Sequence, residues 1–169
     1  LPQILAAQGV TAETFAGGLR WRNAGVLVEA VASGPALPAR LAALSAEWQP
    51  DWLMVEVGND PGNALLEAAL AAAPGRVIAM VQTTRELPCG PASAQPSRRG
   101  TALLHRAAGI TAISRYLCRY LEQHAGVTAR FIPPPVYGAP PYPVHGSFDG
   151  EFVTIINPCA VKGLVIFLE

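Results

Sequence analysis

The feature that most constrains the fold of this chain is the alternation of short apolar segments with single amphipathic helical segments. Strands separated by single helices pair in parallel, because right-handed crossovers return the chain to the same end of the sheet. The pattern therefore predicts an α/β fold, with a Rossmann-like parallel sheet and helices on both of its faces. The strands are expected at residues 51–57, 76–82, 110–114 and 130–132, and the helices at residues 36–48, 61–73, 97–108 and 115–123.

The residues before this alternation follow a less regular pattern. Residues 1–8 are expected to form a short helix that stops at Gly9, since glycine commonly follows a helix terminus. Residues 11–16 and 25–31 are strand candidates joined by a glycine-containing link. The segment at residues 51–57, DWLMVEV, is apolar almost throughout, which predicts a central strand buried on both faces.

The last part of the chain has a different pattern. Residues 136–150 are rich in proline and glycine and have no apolar period, which is typical of a semi-rigid linker between domains. An apolar strand at residues 152–156 leads into a turn at residues 157–163 and a helix start. Backbone N–H groups at a helix start and the ammonium of Lys162 can together hold a phosphate. We therefore expect residues 1–135 to form one domain and residues 151–169 to begin a second.

The composition indicates a globular chain with extensive burial. Hydrophobic residues make up 51% of the 169 residues and charged residues only 14%, unlike a disordered segment. The formal net charge is zero, so we expect no nucleic-acid partner and no long-range attraction to anionic surfaces. Cys89, Cys118 and Cys159 are widely spaced, so we expect neither a disulfide framework nor a metal centre. A reducing cytoplasm is the expected location, with or without peripheral contact with a membrane.

The candidate site residues lie where the predicted strands end. Ligands of open parallel sheets bind beyond the carboxyl ends of the strands, so the loops at those ends are the place to look for polar side chains. The candidates in these loops and at the last strand positions are Glu56, Asn59, Gln82, Thr83, Arg85 and Ser114.

Several of these residues also have a purely structural interpretation. Asp60 and Ser114 are most simply helix N-caps, although the N–H groups beside Ser114 could also meet an acceptor. Glu56 either serves the site or pairs with a nearby arginine, because an unpaired buried carboxylate is costly. Arg85 lies on a long loop and is a candidate substrate contact, with a solvated ion pair to Glu86 as the alternative.

Signatures of several other chemistries are missing from the sequence. There is no G-x-S-x-G elbow, no G-x-x-x-x-G-K-[ST] loop and no G-x-G-x-x-G after a strand. His105, His124 and His145 have no serine, cysteine or aspartate at triad spacing, which disfavours a hydrolase. Arg98 and Arg99 at a helix start indicate either an anionic partner or a nearby acidic side chain, because the helix dipole disfavours cations there.

Three segments together resemble a known enzyme family. They are ITAISRYLCRYLEQ at residues 110–123, RFIPPPVYG at residues 130–138 and FVTIINPCAVKGLVIFL at residues 152–168. In order and spacing the chain resembles the N-terminal domain and linker of a GT-B glycosyltransferase of the family 4 type, which uses nucleotide-activated sugars with retention. The resemblance implies that the first strand of the acceptor-side domain would precede Leu1, and that the donor-binding domain begins near residue 151.

The resemblance also implies roles for individual residues. Lys162 and Gly163, with Asn157 nearby, would hold the donor diphosphate, although the arginine that commonly accompanies this lysine is missing. Gln82 stands where many relatives have a histidine that faces the acceptor, so its role would be positioning rather than proton transfer. No divalent metal is implied, and the nucleotide sugar is a substrate rather than a cofactor.

The family's paired glutamates, E-x7-E, do not occur in these residues, so we expect the isolated chain not to transfer sugar at a meaningful rate. We expect the apolar segment at residues 152–168 to pack on the first domain, to pair with a second copy in a homodimer, or to be poorly ordered. Two other functions remain open: a sugar-nucleotide epimerase on the same scaffold, and a non-catalytic module that binds a glycan or a nucleotide.

Overall fold

A computed structural model describes residues 1–32, 34–58 and 63–134, together with Pro141 and Leu168. The chain divides into two compact units, Leu1–Pro134 and Pro135–Glu169. The predicted linker at residues 136–150 and the predicted strand, turn and helix start at residues 152–168 fall almost wholly outside the described residues. The fold given below is that of the first unit.

The first unit begins with a short helix and three strands that form their own sheet. Helix α1 (Pro2–Ala7) is followed by β1 (Glu13–Phe15), β2 (Gly18–Asn23) and β3 (Val26–Val31). The three strands pair antiparallel in the order β1-β2-β3. The predicted helix and the two predicted strands are present, but the expected glycine-containing link between them is itself the strand β2.

Tight turns explain this third strand. Asn23 pairs with Val26, and the two residues between them, Ala24 and Gly25, have φ angles of 47° and 83°. Two-residue hairpins favour such left-handed turns, because their twist matches that of the flanking strands. The glycines therefore reverse the chain at each end of β2 instead of forming an extended connection.

The remainder of the first unit is an alternating α/β structure. Its helices are α2 (Ala36–Trp48), α3 (Ala64–Ala72), α4 (Arg98–Leu104) and α5 (Arg115–Ala125), and its strands are β4 (Leu53–Glu56), β5 (Val77–Val81), β6 (Gly109–Ala112) and β7 (Arg130–Phe131). The four strands form a parallel sheet in the order β4-β5-β6-β7, so the predicted parallel α/β arrangement is confirmed and is compatible with a Rossmann-like fold.

The hydrophobic core lies on one face of this parallel sheet. Val77, Ala79 and Val81 of β5 are buried, whereas the intervening Ile78 and Met80 are only half-buried. The same core contains the buried side chains of all three crossover helices, namely Leu66, Ala69, Leu70, Leu103, Leu104, Leu117, Tyr120, Leu121 and Ala125. The strand order is sequential, and right-handed crossovers that progress in one direction place successive helices on the same side.

Two predictions about the parallel sheet are therefore wrong for the described residues. Helices were expected on both faces, but the crossover helices α3, α4 and α5 all pack against one face. The segment at residues 51–57 was expected to be a central strand, but β4 lies at one edge of the described sheet. Met54 on its second face is 61% exposed, although Val55 is buried. The apolar run of this segment did not reveal that its two faces differ in burial.

Most other element boundaries agree with the sequence prediction to within a few residues. The helix expected from Pro61 begins at Ala64, with Asn63 at its N-cap position, and Asp60 and Pro61 lie outside the described residues. None of the described helices has the length and hydropathy needed to cross a lipid bilayer.

Candidate functional site

The candidate site is the carboxyl edge of the parallel sheet, where the strand register brings three chain segments side by side. Val57 donates its N–H to the carbonyl of Met80 at 2.9 Å, and Ile113 donates to the carbonyl of Val81 at 3.3 Å. These bonds extend the ladder just past the strand ends. Gly58, Gln82 and Ser114 therefore leave neighbouring strands at the same edge of the sheet, as the sequence pattern predicts.

Gly58 brings the end of β4 against the loop that follows β5. Its φ angle is 109°, and a Cβ atom at this position would lie only 2.2 Å from the Cβ of Glu86. Only glycine combines this backbone conformation with so close a neighbour. Glu86 is therefore a packing partner of the β4 end, a contact that the sequence did not indicate.

The residues after β5 present polar groups at this edge. Gln82 is exposed and free of the core. The hydroxyl oxygen of the half-buried Thr83 accepts the N–H of Arg85 at 3.2 Å, which closes a local turn. The Arg85 side chain is exposed. The backbone carbonyl of Arg85 accepts the N–H of Ala94 at 2.8 Å. Gln82 and Arg85 are thus available to a ligand from a loop whose backbone is fixed.

Ser114 performs the capping role expected of it. Its Oγ accepts the N–H of Leu117 at 3.1 Å at the start of α5. A serine hydroxyl that accepts this bond still has its own proton to donate. Ser114 can therefore cap α5 and donate a hydrogen bond to a ligand oxygen at the same time.

Glu56 is the carboxylate nearest to this edge among the described strand residues. It ends β4, is half-buried and lies beside Met80 in the register. The alternative interpretation of Glu56 was a salt bridge to a nearby arginine, and no such bridge forms within the described part of the chain. Partial exposure to water removes the large burial cost that an unpaired carboxylate would otherwise carry.

The other predicted site residues cannot be placed beside this edge. Asn59 lies outside the described residues, as do Asn157, Lys162 and Gly163, which were assigned to the donor phosphate. The candidate site therefore consists of Gly58 together with the predicted residues Glu56, Gln82, Thr83, Arg85 and Ser114.

Tyr120 fixes the long loop after β5, a role that sequence reasoning missed. Its hydroxyl accepts the N–H of Ala92 at 2.9 Å and donates to the carbonyl of Cys89 at 3.3 Å. Gly90 has a φ of 80°, and a Cβ there would lie 2.2 Å from the tyrosine hydroxyl oxygen. The loop was expected to be functional because of its length. The structure shows that its middle is held by the buried Tyr120.

A cavity of about 420 Å³ lies between this loop, the start of α4 and the end of α5. Arg98, Cys89 and His124 contribute to its wall. Burial raises the pKa of the Cys89 thiol and so favours its protonated form. His124 packs on the ring of Tyr120 with centroids 4.4 Å apart, as expected for a partly packed histidine.

Arg99, one of the two cations at the start of α4, has an acidic side chain beside it. Its guanidinium lies 2.5 Å from the carboxylate of Glu67 on α3. An acidic neighbour therefore accounts for Arg99, without an external anion. No ion pair forms at the exposed Arg98 within the described residues.

One buried acceptor finds no partner among the residues that the structure describes. Asn63 is 5% exposed, and its Oδ1 accepts no hydrogen bond from any of them. Its side chain lies against Gly100, where an added Cβ would be 2.9 Å from Nδ2. Asn63 also has a φ of 58°, a left-handed conformation that asparagine tolerates better than most residues. The sequence carried no signal that Asn63 would be buried in a left-handed backbone conformation.

No group of three or more histidine, cysteine or acidic side chains suited to a metal ion occurs in the described ranges. Comparison of the chain with protein-family models, with curated proteins and with solved structures finds no match in any of the three.

Proposed function

We propose that this chain forms the acceptor-side part of a retaining GT-B glycosyltransferase of the family 4 type, which moves a sugar from a nucleotide-sugar donor to an acceptor. The single observation that carries the proposal is the convergence of Gly58, Gln82 and Ser114 at one edge of a parallel sheet. This edge offers a glycine backbone, an amide and a hydroxyl to a ligand. Such groups suit a polyhydroxylated molecule, because each can donate a hydrogen bond to a sugar oxygen or accept one from a sugar hydroxyl.

Catalysis in this proposal rests on positioning and on stabilising the leaving diphosphate. Gln82 would orient a sugar hydroxyl and Ser114 would donate to a second oxygen, while Arg85 would neutralise negative charge near the edge. Lys162, Gly163 and Asn157 would contribute to donor binding. Transfer would need a complete donor domain with its paired glutamates, so we expect the 169-residue chain alone to be inactive. We place this activity in the cytoplasm.

A second candidate is a non-catalytic module that binds a glycan or a nucleotide. It is favoured by the small number of acid–base groups that the described residues bring to the edge, where Glu56 ends β4 and Glu86 packs against Gly58. The same shortage disfavours the sugar-nucleotide epimerase, which needs acid–base residues. Binding without turnover in a chain that includes a complete second domain would support the module.

The test is a titration of the purified chain with glucose, galactose, mannose and their N-acetyl forms, and separately with their uridine and guanosine diphosphate derivatives. For any ligand that binds, Gln82→Ala should weaken affinity about five-fold, the loss expected for one hydrogen bond. The matched control is Gln123→Ala, which removes another exposed amide near the far end of α5. Equal affinities for the Gln82→Ala variant and the unaltered chain would contradict the role of Gln82.

A further inference from the structure

The neutral total charge of the chain conceals a strongly uneven distribution. Residues 97–134 contain six arginines and a single carboxylate, Glu122, whereas residues 1–96 contain eight carboxylates and five arginines. The basic segment comprises α4, β6, α5 and β7. The expectation that anionic surfaces would not attract this chain used the total alone, and an asymmetry between two parts of a chain is itself a signal of an anionic partner.

Half of these arginines lie around one edge of the parallel sheet. Helix α5 buries Leu117, Tyr120 and Leu121, so Arg115 and Arg119, one turn apart, lie on its exposed side. Strand β7 is the edge strand next to it and carries the exposed Arg130. Arg115, Arg119 and Arg130 form no ion pair with any residue that the structure describes.

Exposed aromatic and aliphatic side chains lie among these cations. Tyr116 is 58% exposed, Phe131 is 38% exposed and Ile132 is 48% exposed. The guanidinium of Arg115 lies over the Phe131 ring, 5.2 Å from its centroid, which joins helix and strand into one patch. We call this patch the α5–β7 surface and define it as Arg115, Tyr116, Arg119 and Phe131. Arg130 and Ile132 alternate with Phe131 along the chain and lie at the same edge, on the opposite face of the sheet.

We propose that the α5–β7 surface binds the headgroup region of an anionic lipid membrane. The negative surface potential of such a membrane attracts arginines. Tyrosine and apolar side chains are suited to the boundary between headgroups and acyl chains. A nucleic acid fits less well, because the Arg115 guanidinium already covers the Phe131 face on which a base would stack.

The proposal is independent of sugar transfer, and so is its test. The full 169-residue chain is sedimented with vesicles of phosphatidylcholine, with or without about one-third phosphatidylglycerol. Binding is expected with the anionic vesicles only and should weaken as salt is raised. Arg115→Gln with Arg119→Gln should reduce binding about 30-fold, since each arginine near an anionic surface contributes about a five-fold gain.

Two controls separate this surface from net charge and from misfolding. Arg22→Gln with Arg106→Gln makes the same change in net charge at exposed positions outside the surface and should change binding less than about three-fold. Arg115→Lys with Arg119→Lys keeps the charge and should keep the binding. Circular dichroism checks that every variant retains its helices.

Three results would overturn the proposal. One is equal binding to vesicles with and without phosphatidylglycerol. Another is a loss of binding in the Arg22 and Arg106 control as large as in the Arg115 and Arg119 variant. The third is displacement of the chain from anionic vesicles by a single-stranded oligonucleotide at concentrations below that of the lipid, which would assign the surface to nucleic acid.

Discussion

The antiparallel and parallel sheets of the first unit are stabilised in different ways. No residue of β1, β2 or β3 is fully buried, whereas every second residue of β5 is. The antiparallel sheet instead contains a charged cluster, in which Glu29 of β3 accepts two hydrogen bonds from Arg40 of α2, at 2.7 Å and 2.6 Å. The parallel sheet thus depends on a packed core, whereas the antiparallel sheet, whose strands carry more charged residues, depends in part on charge pairing.

The charged cluster attaches the antiparallel sheet to α2. The side chain of Glu29 is 6% exposed, and Arg20 adds a longer contact at 3.8 Å. Both arginines also lie over the ring of Phe15, at 4.9 Å and 5.3 Å from its centroid. Pairing and hydrogen bonding offset the cost of placing a carboxylate in this position.

The largest expected effect comes from the core of the parallel sheet. Leu121 is fully buried on α5, so Leu121→Ala should lower the free energy of unfolding by about 2–5 kcal/mol through lost burial and a residual cavity. Urea unfolding followed by circular dichroism measures this loss.

The matched change in the antiparallel sheet is Leu27→Ala, at a half-buried position of β3. It should cost about 1 kcal/mol or less, because little apolar area leaves water at this position. Equal losses for the two leucines would refute the contrast between the sheets.

A smaller effect is expected from the charged cluster. Glu29→Gln should lower the free energy of unfolding by about 1 kcal/mol, because charge-assisted hydrogen bonds are lost but the arginines remain partly solvated. The control is Glu13→Gln, which removes an exposed carboxylate from β1 of the same sheet and should have little effect. High salt should reduce the difference between Glu29→Gln and the unaltered chain.

The pH dependence of stability provides a second test of the same cluster. Hydrogen bonds from Arg40 hold the pKa of Glu29 below its usual value, so the unfolded state takes up this proton more readily than the folded state. The contribution of Glu29 is therefore complete above the ordinary glutamate pKa of about 4.3 and is lost as the pH falls below it. If Glu29→Gln shows the same acid destabilisation as the unaltered chain, Glu29 is not its source.

Hydrophobic periodicity and capping residues predicted helix bounds and helix caps correctly at several positions. Helix α2 begins and ends where its leucine spacing placed it, and Ser114 caps α5 as expected. The strand β2 was missed because the prediction of a glycine-containing link between residues 16 and 25 did not consider the tight turns that Gly17 and Gly25 permit. The burial of β4 on one face only could not be read from a run of apolar residues, since layer order is set by tertiary contacts.

The candidate site was predictable only where local sequence determines it. The rule that ligands meet parallel strands at their carboxyl ends located Gln82, Thr83 and Ser114 from local sequence alone. The contacts of Gly58 with Glu86 and of Tyr120 with the loop at Ala92 join residues distant in sequence. No pattern within a single segment records such pairs.

Backbone amide shift mapping of the isotope-labelled chain, titrated with the same sugars and nucleotide sugars, tests the central claim most directly. The account predicts that a binding sugar shifts the amides of Gly58, Gln82, Thr83 and Ser114 together, while the amides of β1 to β3 stay in place. Shifts confined to the antiparallel sheet, or shifts that leave these four amides unchanged at saturation, would contradict it.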